Sequence, residues 1–352
     1  MKHLLQKKLI VCVGPGGVGK TTTSAAVAVA AARRKQRVAV ITFDPSRRLK
    51  DALGLKHVSN EPSRVAVEGL ELHALALDTK RTFDDLVRRF APDSATAERV
   101  LANRLYHEIS NELSGSAEYM AMEKLHELFH SGHYDVVVVD TPPSSHARDL
   151  LAAPNRLSAL LASRAMSFLQ APASLLSEAT STFGKMTLTA LLRALEKWTG
   201  MQLLHDLADF VSGFESMFEG FQQRAGEIDR HLHGPECAFV LVTTPEEEPV
   251  HATITFHREL SEGGFPIAGI IANRVMSVPV PHPARLEALP EPLREKLVVN
   301  QRDLHALTVR DQRTLEQLRR ETHAPLLAML PMSAEAPTTL PEIAALARRL
   351  AH

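Results

Sequence analysis

The chain has 352 residues, 45% hydrophobic and 23% charged, which is enough to build the core of one large domain or of two ordinary ones. Its 40 Lys and Arg residues nearly balance its 41 Asp and Glu residues, so no global charge favours binding to nucleic acid or to a membrane surface. The two cysteines, Cys12 and Cys237, lie in or beside apolar runs, which excludes a disulfide framework and predicts buried thiols in a reducing compartment. Residues 1–8 lack a signal-peptide core and no stretch approaches the roughly 18 apolar residues of a membrane span. We therefore expect a cytoplasmic protein with no stable membrane insertion.

Short apolar runs alternate with helical patterns along the chain. Several runs are almost entirely apolar, as at Val136–Val139, which is typical of parallel strands covered on both faces. The alternation predicts an α/β fold with a doubly wound, mostly parallel sheet of about seven or eight strands, whose ligands bind at the carboxyl ends of the strands. The predicted strands are Leu9–Val13, Arg37–Thr42, Leu72–Leu77, Asp135–Asp140, Ala238–Thr243, Ile267–Ala272 and Pro325–Leu330.

The first predicted strand leads directly into a glycine-rich segment, residues 14–22, that reads GPGGVGKTT. It satisfies the phosphate-binding template G-x-x-x-x-G-K-[ST] and lies between a strand and a helical pattern, which is the context this loop requires. Its backbone N–H groups and the helix N-terminus would face a phosphate, Lys20 would reach the β- and γ-phosphates, and the Thr21 hydroxyl would bind Mg²⁺. The predicted nucleotide-binding residues here are Gly16, Gly17, Val18, Gly19, Lys20, Thr21 and Thr22.

Two carboxylates follow other predicted strands at the same edge of the sheet. Asp140 ends the Val136–Val139 run, where nucleotide-binding sheets hold Mg²⁺, usually through water. The alternative for Asp140 is the N-cap of the next helix. Asp44 follows the second strand and could position or deprotonate an attacking water; its alternative is an Asx-turn before Pro45.

Almost a hundred residues without a strand pattern separate Asp140 from the next strand, more than a crossover helix needs. We interpret residues of approximately 150–233 as a helical subdomain inserted into a single domain that spans residues 1–352. Its best helix, Met201–Arg224, carries an apolar stripe that includes Phe210, Phe214 and Phe221. The stripe either forms a core of its own or lines an apolar groove.

The remaining predictions concern the last quarter of the chain. Val278–Arg294 is Pro-rich and is predicted to be a surface excursion. Gln301–Glu321 is predicted as a charged, solvated helix, and Pro341–Leu350 as a terminal helix that packs on the sheet.

The order of these motifs resembles the deviant Walker A ATPases, a class of P-loop NTPases. More narrowly, it resembles the family of the arsenite-pump ATPase and of the ATPase that targets tail-anchored membrane proteins. The resemblance is carried by residues 14–22, by Asp44-Pro45, by residues 140–146 (DTPPSSH) and by Asn273-Arg274, and it covers nearly the whole chain. It implies an ATP- and Mg²⁺-dependent ATPase that works as a dimer and couples hydrolysis to binding and release of a protein client.

The resemblance also assigns roles to individual residues. It implies that Asp44 is the residue nearest the attacking water and that Asp44 and Lys20 are the catalytic residues. Asn273 and the loop that contains Pro331 hold the adenine, and Thr21 and Asp140 are the metal-binding residues. The resemblance implies that the client could be a hydrophobic segment of a membrane protein. It also implies a membrane-protein receptor as a possible second partner.

Two departures from the family pattern leave the function open at this stage. Pro15 stands where the family has a lysine that reaches across the dimer, and proline supplies no charge and no N–H. The alternatives are a slow ATPase acting as a homodimer, a heterodimer with a paralogue that carries the lysine, and a weakly catalytic nucleotide-sensing scaffold. Because Cys12 and Cys237 are isolated, an anion or metalloid pump subunit and a zinc-clasped dimer are disfavoured.

Overall fold

The structure is a computed structural model that describes residues 1–43, 48–67, 69–103, 106, 116–142, 220, 223–277, 289–333 and 335–351. The chain divides into two compact units. The first contains Met1–Leu77, Leu128–Arg148 and Arg230–His352, and the second contains Asp78–Glu127 and Asp149–Asp229. The predicted helical subdomain at 150–233 lies outside the described residues except for 220 and 223–233, so its extent and its apolar stripe stay predictions.

In the described part of the first unit, eight strands form one sheet in the order β3-β4-β2-β5-β1-β6-β7-β8. All neighbouring pairs are parallel except β3 with β4. The α/β fold and the seven predicted strands are therefore confirmed, whereas β3, at two residues, is too short to show a periodic pattern. The strands are β1 (Leu9–Val13), β2 (Val38–Thr42), β3 (Ser63–Arg64), β4 (Leu72–Ala76), β5 (Val136–Asp140), β6 (Cys237–Thr243), β7 (Ile267–Val275) and β8 (Leu326–Pro331).

The order of strands explains where a ligand would bind. Every residue of β1, β2, β5 and β6 is buried, as expected for central strands covered on both faces. After β1 the chain adds strands toward one edge of the sheet (β2, β4 and β3), and from β6 onward it adds them toward the other edge, so the direction reverses at β1. The loop that follows β1 therefore opens at the topological switch point, where doubly wound sheets place their ligands.

The described helices are α1 (Lys20–Ala32), α2 (Arg48–Ala52), α3 (Thr79–Phe90), α4 (Ser94–Ala102), α5 (Ser116–His130), α6 (residues 223–233), α7 (Glu247–Glu262), α8 (Glu291–Thr322) and α9 (Leu340–Ala351). α1 is buried on almost its whole circumference, because its alanines let it approach both the sheet and α9 closely. The core of the first unit lies at this junction, where α9 contributes the buried side chains of Ile343, Ala347 and Leu350. The predicted terminal helix is thereby confirmed.

The long helix α8 corrects one prediction. It begins at Glu291, so the last residues of the predicted surface excursion Val278–Arg294 belong to the helix; residues 278–288 lie outside the described part of the chain. Pro292 occupies the first turn, where a missing N–H leaves no helical hydrogen bond unmade. The sequence therefore predicts the start of α8 too late, because a proline in the first turn of a helix is taken as part of a loop.

The second unit is helical in its described residues. Asp78 and Asp93 cap α3 and α4 by accepting the backbone N–H groups of Arg81 and Thr96, at 2.9 and 2.7 Å. Arg224 donates to the buried Glu123 carboxylate at 2.8 Å, which pairs two charges inside the unit. Across both units, none of the helices within the described residues combines the length and the apolar character needed to cross a membrane.

Candidate functional site

The glycine-rich loop that joins β1 to α1 is held against two neighbouring strands. Gly14 has φ +153°, and a Cβ at this position would lie 2.1 Å from the backbone oxygen of Val242 in β6. Gly19 is the N-cap of α1 with φ +88°, and a Cβ there would lie 2.3 Å from Nδ2 of Asn273 in β7. At Gly14 a side chain would be strained and would collide with backbone, so the geometry requires glycine; at Gly19 the left-handed φ and the neighbouring amide favour glycine.

Lys20 is buried and its ammonium lies inside the loop. Nζ donates to the carbonyl oxygens of Gly14 at 3.0 Å and Pro15 at 2.8 Å. The first residue of α1 is Lys20 itself, so the N–H groups at the start of the helix open toward the same loop. A cation and a helix N-terminus that converge on a glycine loop form a site for anionic oxygen atoms.

Asp140 is fully buried at the end of β5 and is surrounded by hydroxyl groups. Its Oδ2 accepts from Oγ1 of Thr21 at 2.8 Å and from Oγ1 of Thr42 at 2.9 Å. Its Oδ1 lies 3.4 Å from Oγ of Ser24. The donor set consists of oxygen atoms alone, and a Thr hydroxyl lies in direct contact with a carboxylate, which fits Mg²⁺ rather than a thiophilic metal.

The register of the sheet places these groups together. Asp140 pairs with Thr42 of β2 on one side and with Cys12 of β1 on the other. Because parallel strands end at one edge, the Thr42 hydroxyl and the Asp140 carboxylate meet beside the start of α1. Thr21 and Ser24 lie on the turn of α1 that faces them.

Thr141 ties the segment after β5 to β1. Its Oγ1 donates to the carbonyl of Cys12 at 2.8 Å, and its own N–H lies 3.4 Å from the same oxygen. Burial, together with the Asp140 carboxylate, raises the pKa of the Cys12 thiol to about 12, although Ser24 and Lys20 act in the opposite direction. The thiol is therefore neutral at physiological pH and is unsuited to nucleophilic or metal-binding chemistry. Cys237 is buried as well, so the prediction that both thiols are buried and unpaired is confirmed, whereas the predicted reducing compartment stays a prediction.

Asn273 lies beside the glycine loop, as the resemblance implies. Its side-chain Nδ2 donates to the carbonyl of Val18 at 2.8 Å. The next residue, Arg274, has φ +57°, which interrupts the regular strand after Asn273. Pro331 ends β8 and pairs with Val275, so it lies at the same carboxyl edge, one strand farther from the loop. The structure thus places Asn273 against the loop and Pro331 at the rim of that region.

The other predicted residues lie as follows. Val18 is buried, Thr21 and Thr22 are half-buried, and Gly16 and Gly17 are exposed at the tip of the loop. Asp44 lies outside the described residues, so its predicted role stays a prediction. Pro15 is buried, and its ring does not project from the surface as a residue that reaches toward a partner would.

Three residues of this cluster have no role in the sequence analysis: Ser24, Thr42 and Thr141. Thr42 could have been found from the alignment of strand ends, because the second and fifth strands both end in a polar residue after an apolar run. Ser24 lies one helical turn from Lys20 and Thr21, and its helical spacing places it on the same face. Neither the alignment of strand ends nor the helical spacing distinguishes a hydroxyl that serves a ligand site from an ordinary buried hydroxyl.

Comparison with known proteins finds one family model and several relatives, all of them ATPases by name. The family model of the anion-transporting ATPases matches residues 7–288. The chain is similar to ATPase get3 of Aspergillus terreus, 26% identical over 268 residues (75% of this chain and 72% of the relative). It is similar to ATPase GET3 of Malassezia globosa, 26% identical over 304 residues (85% and 82%). A third relative is an ATPase ASNA1 homolog of Cryptosporidium parvum, 28% identical over 270 residues (76% and 65%).

Proposed function

The chain belongs to the anion-transporting ATPase family, and from this premise we propose that it is an ATP-driven switch with its nucleotide site at the carboxyl edge of the sheet. Members of this family are ATPases that use a nucleotide and Mg²⁺. The observation that supports the proposal most directly is the convergence of Lys20, Thr21 and Asp140: a buried cation beside a buried carboxylate that carries hydroxyl donors. This is the arrangement that a nucleoside triphosphate and a divalent cation require together.

The phosphate chain would be held by the loop N–H groups and by Lys20. On binding, the ammonium exchanges the carbonyls of Gly14 and Pro15 for phosphate oxygens. Thr21 would hold Mg²⁺ through its hydroxyl and Asp140 through water, with Thr42 fixing the orientation of the carboxylate. Held by these residues, Mg²⁺ would supply positive charge to the phosphate oxygens.

We assign the positioning of the attacking water to Asp44. It comes two residues after Thr42, which contacts Asp140, so the segment that carries Asp44 begins at the proposed metal site. A carboxylate there can accept a proton from water as the nucleophile forms. On the base side, Asn273 and the Pro331 loop would hold the adenine, an assignment supported by the contact between Asn273 and Val18.

The coupled output is binding and release of a protein client by a dimer. The support is the family resemblance and the predicted helical region at 150–233 with its apolar stripe. Nucleotide-driven opening of the dimer would change that region, because a two-state element is what such switches require. A hydrophobic segment of a membrane protein is the client that such a stripe would suit.

A second function is favoured by Pro15. Its buried, uncharged ring supplies no cation to a partner's phosphates, and the loss of a transition-state cation lowers phosphoryl-transfer rates by about 10³- to 10⁵-fold where arginine fingers have been removed. The chain would then be a nucleotide-sensing subunit that pairs with a paralogue carrying the lysine. The two functions share the same ATP site and differ in turnover by the purified chain.

The test is steady-state ATP hydrolysis by the purified protein, with ATP affinity and mass in solution recorded on the same samples. For the switch ATPase we expect turnover by the wild type, and for Asp44→Asn we expect loss of turnover with ATP binding retained, because the attacking water is no longer oriented. Asp51→Asn, an exposed position in α2, is the matched control and should retain wild-type turnover.

The outcomes separate the alternatives. Binding of ATP without turnover by the wild type selects the nucleotide-sensing subunit and directs the search to a lysine-bearing partner. Full turnover by Asp44→Asn contradicts the role assigned to Asp44. Absence of ATP binding by the folded wild type contradicts the proposed site itself.

A further inference from the structure

Among the residues that the structure describes, the long helix α8 packs against its unit through its C-terminal part. It runs for 32 residues, but its buried residues are confined to its C-terminal part. They are Asp311, Thr314, Leu315, Leu318 and Thr322. Three of these side chains are polar, and two of the three, Asp311 and Thr314, bond to the loops that follow β7 and β6.

Asp311 holds the segment that follows β7. Its side chain is 2% exposed, and Oδ2 accepts the backbone N–H of Met276 at 2.8 Å. Oδ1 accepts from Nη2 of Arg310 at 2.9 Å, so both carboxylate oxygens have a donor. Met276 directly follows β7 and comes two residues after Arg274, whose left-handed backbone makes a local turn near the end of β7, where the pairing with β8 shifts register. A charge-assisted bond to a backbone N–H is among the stronger ways to fix such a turn.

Thr314 holds the segment that follows β6. Its Oγ1 lies 2.6 Å from the carbonyl of Pro245, closer than the 3.0 Å to the carbonyl of Asp311 in its own helix. A hydroxyl has one proton, so the shorter contact to Pro245 takes it. Pro245 follows Thr243 and Thr244, both of which are buried at the carboxyl end of β6.

These two loops flank the glycine loop on the side of Asn273. Asn273 comes three residues before Met276 and donates to Val18, while the end of β6 limits the space beside Gly14. The contacts therefore form a continuous path from α8 through the ends of β6 and β7 to the glycine loop. Lys20 meets the glycine loop at the carbonyl of Gly14, whereas Asp140 lies in β5, on the opposite side of β1 from β6 and β7.

We propose that Asp311 and Thr314 are positioning residues, which hold the two base-side loops and so provide the part of nucleotide affinity that depends on the base and ribose. The inference rests on the proposed function, since it takes the loop and Asn273 as parts of an ATP site. The polyphosphate chain and Mg²⁺ would be held chiefly by Lys20, Thr21 and Asp140, none of which follows β6 or β7, so we expect the affinity for polyphosphate to change little when Asp311 or Thr314 is replaced.

The test compares ATP with inorganic tripolyphosphate, each titrated with Mg²⁺ by isothermal titration calorimetry. For Thr314→Val we expect the Kd of ATP to rise about 5- to 10-fold, the size of one lost hydrogen bond, with the Kd of tripolyphosphate unchanged. Thr314→Ser restores the hydroxyl and should restore the Kd of ATP. Thr308→Val is the matched control on α8, because its hydroxyl bonds to Leu304 one turn back in the same helix.

Asp311→Ala provides a second variant of the same network, with the same expected selectivity. Equal weakening of both ligands would show a general structural role and would overturn the inference, as would an unchanged Kd of ATP in Thr314→Val. A wild type that binds ATP no more tightly than tripolyphosphate overturns this inference alone. A folded wild type that binds neither ligand overturns the proposed function and this inference with it.

Discussion

The contact between Gly19 and Asn273 gives a prediction whose size follows from the structure. In Gly19→Ala a residue with a Cβ must keep φ near +88°, which costs about 1–2 kcal/mol. The added Cβ would also lie 2.3 Å from Nδ2 of Asn273, so the amide must move and lose its bond to Val18, worth about 0.5–1.5 kcal/mol. We therefore expect the free energy of unfolding to fall by about 1.5–3.5 kcal/mol without nucleotide, measured by urea denaturation with circular dichroism.

Gly17 provides the matched control in the same loop. It has φ +79°, but a Cβ there meets no heavy atom within 4 Å, so Gly17→Ala should cost only the backbone strain of about 1–2 kcal/mol. In an Asn273→Ala background the extra cost of Gly19→Ala should disappear, since the displaced amide is absent. Equal costs for the two glycine variants, or an extra cost that persists without Asn273, would refute the steric argument.

Two further predictions concern a buried carboxylate and a half-buried histidine. Thr42→Val should lower the free energy of unfolding by about 1.5–3 kcal/mol, because it removes a hydroxyl donor from the buried Asp140 carboxylate. Thr255→Val, whose exposed hydroxyl bonds within α7, should change it by less than about 0.5 kcal/mol, and equal effects would contradict the assigned contact. Burial, aided by the charge of Arg64, lowers the pKa of His73, so the unfolded chain binds this proton more tightly than the folded one. The free energy of unfolding should therefore decline as the pH falls below about 6.5. In urea denaturation from pH 8 to 5, His73→Gln should flatten this decline, and an unchanged slope in the variant would contradict the prediction.

Much of the site could be predicted because its residues come from one continuous motif. Residues 14–22 satisfy a template that specifies a loop, a cation and a hydroxyl together, and the structure places Lys20 and Thr21 accordingly. Asp140 was predicted because a carboxylate that ends a buried strand lies at the ligand edge of the sheet. Strand positions were predicted equally well, because central parallel strands are uniformly apolar.

The residues that sequence reasoning missed depend on register and on distant contacts. Thr42 meets Asp140 only because β2 pairs with β5 in a particular register, and no local pattern states that register. Asp311 lies in a charged helix that was predicted to be solvated, and its burial follows from the loop that it holds, 35 residues earlier in the sequence. The start of α8 at Glu291 was hidden by a proline that is tolerated in a first turn.

The central claim is that Lys20 and the glycine loop bind the phosphates of ATP, and the most direct test is titration of ATP with Mg²⁺ into the wild type and Lys20→Ala. The account predicts that the wild type binds and that Lys20→Ala loses at least about tenfold in affinity, because a charge-assisted contact to phosphate is removed. Lys56→Ala, at an exposed position, should bind as the wild type does. Undiminished ATP binding by a folded Lys20→Ala protein would contradict the account.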